Sequence, residues 1–191
     1  MIGINVQTGS DGVSDIGAML AGSADDRAAA FTQLLDDSLD RSFRLAAVIL
    51  GDRDEAEDAV SDAALRAWQH VASLRDPGHF EAWFSRILVN VCRDRLSRRH
   101  RPSIVTTVPT ILADPFAESV ERAALFEALT ALNPEHRAVI ALHYLEGLTS
   151  EQIAARLQVP AGTVRSRLHY GLAELRAAYD AAEREPQGAT R

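Results

Sequence analysis

From Ala28 onward, apolar residues return at three- and four-residue steps. Phe31, Leu34, Leu35, Leu39, Phe43, Ala46, Ala47 and Leu50 form one stripe, the period of a helix with one buried face. Gly51 is a natural stop behind it. A second stripe (Ala56, Ala59, Val60, Ala63, Ala67, Trp68, Val71) follows Asp52 and Asp54, either of which suits a helix N-cap. The tract Leu74-Arg75-Asp76-Pro77-Gly78-His79 reads as a turn. A third helix is expected from Phe80 to about Arg99, with Phe80, Trp83, Phe84, Ile87, Leu88, Val91 and Leu96 inward. No stretch in this half alternates like a strand. Residues 102–117 hold Pro102, Pro109 and Pro115 among β-branched residues without a helical period, the composition of an extended linker.

Helical periodicity resumes near Glu118 with Val120, Leu125, Leu129 and Leu132. Asn133-Pro134 starts a further helix with proline in its first turn; Val139, Ile140, Leu142 and Leu145 face inward, and it ends by Gly147. Thr149 with Gln152 has the form of a capping box for a short helix holding Ile153, Ala154 and Leu157. Val159-Pro160-Ala161-Gly162 is the expected turn, and Thr163 the expected start of the last helix, with Val164, Leu168, Leu172, Leu175 and Tyr179 inward. The pattern predicts an all-α chain of two small helical domains, 26–101 and 118–182, joined by an extended linker. Residues 1–25, rich in Gly, Ser and Asp, read as a flexible tail or at most a short docking segment, and 183–191 as a C-terminal tail.

Charge changes this picture. The net charge of −7 argues at face value against a nucleic-acid partner, but the charges are segregated. Asp52, Asp54, Glu55, Glu57, Asp58 and Asp62 crowd the second helix, whereas Arg86, Arg93, Arg95, Arg98, Arg99 and Arg101 load the third and its exit. The first-turn acids serve the helix dipole; the excess suits either a solvated face or a basic protein surface. All 20 basic residues are arginine, whose planar fork matches phosphates and guanine edges, although a GC-rich genome produces the same bias. Phe80, Trp83 and Phe84 beside the arginines could stack on unpaired bases, but their helical spacing suits a core, with Trp83 mainly buried. The lone Cys92 excludes an intramolecular disulfide, and its apolar helical setting marks a core cysteine rather than a nucleophile. The six histidines show no metal-ligand spacing, so neither an enzyme nor a cofactor is expected. There is no secretory signal and no apolar run of roughly 20 residues, so no membrane insertion is expected and a cytoplasmic location is.

The tract LTSEQIAARLQVPAGTVRSRLHYGLAELR combines a capped short helix, a tight turn and a longer helix. With Val164 and Leu168 holding the second helix inward, Thr163, Arg165, Ser166, Arg167, His169 and Tyr170 are left facing outward near its N-terminal half, the half of a helix-turn-helix that enters a major groove. Two ordinary packed helices with a solvated arginine face are the bland alternative.

These blocks together resemble an extracytoplasmic-function (group IV) sigma factor of the bacterial sigma-70 family, over about residues 28–180. LGDRDEAEDAVSDAALRAWQHV is similar to the family's polymerase-binding helix, FEAWFSRILVNVCRDRLSRRHRP to its promoter-melting helix, and ALTALNPEHRAVIALHYLEGLTSEQIAARLQVPAGTVRSRLHYGLAELR to its C-terminal domain. The resemblance implies sigma region 2 and region 4 domains and a protein that binds core RNA polymerase and directs it to promoters. Asp54, Glu55, Glu57, Asp58, Val60, Asp62 and Leu65 would then meet the clamp helices of the largest subunit. The loop Ser73 to His79 would capture a flipped base of the −10 element, with Asn90 at a base-reading position and Arg86, Arg93 and Arg95 near the backbone. Thr163, Arg165, Ser166, Arg167, His169 and Tyr170, with His143, would read the −35 element, and an anti-sigma factor is a further partner of the kind the family has. The last helix commonly reads His-Arg-Ala where this chain has His169-Tyr170-Gly171, which leaves the −35 preference open. Gly171 would also cost the helix up to about 1 kcal/mol relative to alanine. A helix-turn-helix regulator that never engages polymerase would account for the C-terminal half alone and leave 51–101 unexplained.

Overall fold

The structure, a computed structural model, describes residues 10–74, 76–99 and 120–184. Among them every regular element is helical: α1 (Ser10–Ala21), α2 (Ala24–Leu50), α3 (Arg53–His70), two 3-10 turns (Val71–Ser73 and Pro77–His79), α4 (Phe80–Arg99), α5 (Val120–Ala131), α6 (Pro134–Tyr144), α7 (Ser150–Leu157) and α8 (Ala161–Arg184). The linker expected at 102–117 lies outside the described residues; of the tail expected at 183–191, residues 183 and 184 belong to α8 and 185–191 lie outside the described residues. The flexible tail expected at 1–25 requires correction: residues 10–21 form a helix packed on α2. Ser23 then closes a reciprocal capping box with Asp26, so α2 starts at Ala24 rather than Ala28. Gly51 ends α2 at φ +69, the left-handed conformation that glycine adopts without a Cβ penalty.

The N-terminal half is α2, α3 and α4 packed around one core. Ala56, Ala59, Ala63 and Ala67 of α3 are completely buried. Small side chains at three- and four-residue steps let α3 lie close to its neighbours while its acidic residues stay outside. Phe80, at the first position of α4, stacks on Phe84 at 5.7 Å and meets the edge of Phe31 at 5.9 Å. That aromatic cluster fixes where the two 3-10 turns emerge from the core. Trp83 is half-buried against Phe80, and Cys92 is fully buried.

In the C-terminal half, α6, α7 and α8 close over Val139, Leu142, Ile153 and Val164, all 0 % exposed. Asn133 caps α6 through Glu135 N–H, with Pro134 at its first position, and Thr149 and Gln152 form the capping box of α7. Gln158 takes the left-handed turn at φ 58. Pro160 O then accepts from Thr163 N–H at 2.9 Å and Val164 N–H at 3.2 Å. The last helix therefore begins at Ala161, and Ala161-Gly162, expected in the turn, is its first half-turn. Leu172, expected inward, is exposed. The buried neighbour is Gly171: a Cβ there would stand 2.9 Å from His136 Cβ and 3.1 Å from Ile140 Cδ1. The missing side chain is what lets α8 approach α6, so Gly171 is a packing residue and not merely a weak point in the helix.

The two halves share one core, in which Ile49, Leu50 and Val89 of the first are continuous with Ala138, Val139 and Leu142 of the second. At their junction Arg137, 4 % exposed, donates from Nε to Ile49 O at 3.1 Å, from Nη2 to Leu50 O at 3.1 Å and from Nη1 to Thr130 O at 2.8 Å. One guanidinium thus serves carbonyls at the C-terminal ends of α2 and α5, where the helix dipole is negative and intrahelical donors run out. Gly51 makes room for it, since a Cβ there would lie 2.9 Å from Arg137 Nη1.

Replacing Arg137 with methionine removes three donors from buried or half-buried carbonyls, each loss worth about 1–3 kcal/mol where water cannot enter. The R137M chain is expected to melt at lower temperature and to show a larger radius of gyration by small-angle scattering, because water reaches the carbonyls most readily if the halves part. Gly171→Ala is expected to destabilise by about 1 kcal/mol: the overlap with α6 costs about 1–3 kcal/mol and exceeds the gain in helix propensity. Gly162→Ala, whose Cβ would meet open space, is expected to be neutral or stabilising in the same denaturation experiment.

Candidate polymerase and DNA interfaces

The acidic face of α3 is built by the alanine stripe behind it. Asp54, Glu57 and Asp58 are exposed, and Leu65 is 64 % exposed beside a partly exposed Trp68. Glu55 is half-buried in the first turn, where its N–H is held by the Asp52 cap at 2.9 Å. Val60 requires correction as a contact residue: at 7 % exposed it belongs to the core behind the face. Asp62 is also not simply displayed. Its Oδ2 accepts from Arg95 Nη2 at 2.5 Å, and Asp58 lies 3.8 Å from Arg95 Nη1. The structure therefore joins two groups that the sequence reading assigned to separate sites, with Arg95 of α4 bridging to the acidic face of α3.

The loop between α3 and α4 presents His79. Asp76 caps the second 3-10 turn by accepting from Gly78 N–H at 2.9 Å, and its other oxygen meets His79 Nδ1 at 2.7 Å. The Gly78 hydrogen bond, then that of His79, holds the Asp76 carboxyl below its ordinary pKa, and the His79 side chain is 78 % exposed. Along α4, Arg86 is exposed and Asn90 half-buried. Arg93 departs from the expected role of a free phosphate contact: its Nη1 donates to Leu157 O at 3.2 Å, at the end of α7 in the other half.

On α8, Arg165, Ser166, His169 and Tyr170 are exposed and Thr163 is half-buried. Arg165 pairs with Glu151 at 3.1 Å with both side chains mostly in solvent, a pairing of at most about 1 kcal/mol that a phosphate or base can displace. The first turn of α8 contains no acid and Gly162 faces open space, leaving the positive helix end accessible. Arg167, expected outward, is a correction. Its side chain is 19 % exposed, pairs with Glu135 and lines a cleft of about 490 Å³ between the halves, whose walls include Val89, Arg93, Leu96, Ala138, Leu157 and Val159. His143 is half-buried, with Nδ1 2.9 Å from Leu148 O, at the α6–α7 corner.

Sequence reasoning missed a second polar tie between the halves. Glu146, in the loop after α6, accepts from Arg41 of α2 at 3.1 Å and from Ser85 of α4 at 2.8 Å, while Ser85 Oγ accepts from Arg156 of α7 at 3.0 Å. Burial pulls the Arg156 guanidinium below its ordinary value, against the attraction of Glu146. Glu146, Arg41 and Arg156 read in sequence as surface charges and Ser85 as an ordinary helix serine, and only their convergence from four elements identifies them.

Among the described residues no group of His, Cys, Asp and Glu could hold a metal ion, and no helix is long and apolar enough to cross a membrane. Burial pushes the Cys92 thiol up to about 12, far from a nucleophile's range. Native protein at pH 8 is expected to leave a thiol reagent such as Ellman's reagent unreacted over minutes, and the denatured chain to react with one equivalent. Fast native labelling would contradict the buried placement.

Comparison with known proteins agrees with this layout. Residues 34–102 match the family model for sigma-70 region 2 and residues 128–177 that for sigma-70 region 4. The chain is 35 % identical over 166 residues to the ECF RNA polymerase sigma factor SigL of Mycobacterium tuberculosis, covering 83 % of this chain and 94 % of the relative. It is 37 % identical over 155 residues to SigE of Mycolicibacterium smegmatis, covering 75 % of this chain but only 59 % of that longer protein. Among solved structures it resembles the sigma factor RpoE in complex with the anti-sigma factor NepR from Bartonella quintana, with a TM-score of 0.65 and 25 % identity over 78 % of this chain and 96 % of that one. CnrH, solved with the cytosolic domain of CnrY, shares the fold with a TM-score of 0.57 and 24 % identity, over 88 % of this chain and 97 % of that one. The chain belongs to the extracytoplasmic-function sigma factors of the sigma-70 family.

Proposed function

We propose that the chain works through two separated surfaces: the α3 face of Asp54, Glu57, Asp58 and Leu65 docks on core RNA polymerase, and the promoter is read by the α3–α4 loop with α4 at the −10 element and by α8 at the −35 element. The observation that carries this reading is the separation itself. Acidic and apolar side chains are exposed on α3, while the exposed arginine, histidine and tyrosine of α8 surround an open helix N-terminus in the other half. Arg165, Ser166, His169 and Tyr170 are the base and phosphate contacts proposed there; Arg86, Asn90 and His79 are those proposed for the −10 element. The names of the relatives as RNA polymerase sigma factors support the polymerase partner, and the RpoE–NepR complex supports an anti-sigma factor as a further partner.

This reading requires the halves to separate. Contacts 25 base pairs apart lie about 85 Å apart along B-DNA at about 3.4 Å per pair. A compact body of this size is about 40 Å across. The form with Arg137, Glu146 and Arg93 engaged between the halves is thus the closed form of the molecule, and engagement of both promoter elements breaks those ties. Arg93 and Arg167, turned toward the junction, become available to phosphates only on opening.

Two variants separate the surfaces. Leu65→Arg is expected to weaken binding to core polymerase about tenfold or more and to leave binding of the same full-length protein to −35 duplex unchanged. Arg165→Ala is expected to weaken −35 binding by about 1–3 kcal/mol, roughly 5- to 150-fold, while core binding is retained. Fluorescence anisotropy on both partners, followed by run-off transcription, checks both. Failure of the unaltered protein to bind core polymerase would reduce the function to that of a helix-turn-helix regulator.

A further inference from the structure

Helix α1 lies upstream of the matched family region, which begins at residue 34, yet it is docked against an element that the proposed function places at the −10 DNA. It runs along α2 and touches both 3-10 turns of the α3–α4 loop. Gly17 sits over Pro77, the first residue of the second turn: a Cβ on Gly17 would lie 3.7 Å from Pro77 Cγ and 3.9 Å from Cδ. Leu20 packs on the core. The corner after α1 is fastened by Arg27, which donates from Nε to Leu20 O at 3.1 Å and from Nη2 to Gly22 O at 3.4 Å, and by Gly22 N–H, which donates to Met19 O at 3.0 Å. The hinge is therefore held on the α2 side, while the docked face of α1 is shared between α2 and the loop.

Two properties suit α1 to control rather than to permanent support. Its sequence, SDGVSDIGAMLA, contains two aspartates and no basic residue, so α1 brings no cation that would draw a polyanionic single strand to the loop it is docked on. At 12 residues with two glycines, α1 is also too short to be stable by itself in water, so its helicity depends on staying docked. Displacement from the loop and loss of the helix are a single event, in which Leu20 leaves the edge of the core.

We propose that α1 is an intramolecular regulator of the −10 capture loop: docked, it holds the Pro77–His79 turn against rearrangement around single-stranded DNA, and undocked, it releases the turn for base capture. This rests on the reading of that loop given above. The test uses full-length protein assembled with core polymerase and a forked promoter fragment whose −10 segment is single-stranded. In a G17C/P77C double variant, a short bis-maleimide or a disulfide locks α1 to the turn; buried Cys92 does not compete. The disulfide-locked form is expected to bind the fork at least tenfold more weakly than the same molecules after reduction. Gly17→Trp, which props α1 away from Pro77, is expected to tighten binding several-fold without lowering the melting temperature of the core. Equal binding by locked and reduced forms overturns the proposal, as does weaker binding by Gly17→Trp, which would make α1 a brace for the loop. His79→Ala and Asn90→Ala on the same fragment separate the two levels. If both leave fork binding unchanged, the capture-loop reading falls and the regulator with it; if they weaken it while the lock has no effect, the regulator alone falls.

Discussion

The buried guanidinium of Arg137 joins the two halves of this molecule where both have the same need. Helices α2 and α5 end close together, and each ends in carbonyls that no further turn of helix can satisfy. A charged donor with a planar, multi-pronged geometry meets three of them at once, and the negative ends of two helix dipoles offset the cost of burying its charge. Gly51 is the matching constraint, since its left-handed turn ends α2 and its missing side chain leaves the space the guanidinium fills. The continuity of the core, the cleft beside it and the orientation of α7 and α8 all follow from that join.

The join also explains why the arginines divide as they do. Arg165 is paired only in solvent, where an ion pair contributes little, so it is ready to exchange its partner for DNA. Arg93 and Arg167 are turned toward the junction and Arg95 toward the acids of α3. These arginine side chains are thus satisfied within the molecule, by a carbonyl for Arg93 and by carboxylates for Arg95 and Arg167. A chain whose overall charge disfavours DNA carries local basic groups whose exposure depends on conformation.

Much of the local structure was legible because it depends on near neighbours. The stop at Gly51, the caps at Asn133 and Thr149 and most of the inward faces of α2, α3 and α4, Leu39 and Trp68 excepted, each rest on residues within about one or two turns of one another. The departures share one cause, which is that the deciding partner was distant. Val60 stood in the apolar stripe of α3, and the resemblance alone moved it to the polymerase contact; the packing of α3 against α2 and α4 keeps it in the core. Gly171 looked like a weak helix position until α6 came within van der Waals distance. The N-terminal Gly, Ser and Asp looked like a tail because α1 has too few apolar residues to signal a helix without the surface it docks on.

The amino-acid sequence by itself determined the all-α class, the cores of the two halves, the helix-turn-helix and the segregation of acid from arginine, since periodicity and capping are written at separations of three and four residues. Tertiary structure alone decided which charged residues are available. Arg137, Glu146, Arg41, Ser85 and Arg156 acquire their roles from groups that in several cases lie more than sixty positions away, and α1 acquires its role from a loop more than fifty positions downstream. An arginine in a sequence is a donor without an address, and only the packing of helices from both halves determines whether that address is a carbonyl, a carboxylate or the solvent from which DNA arrives.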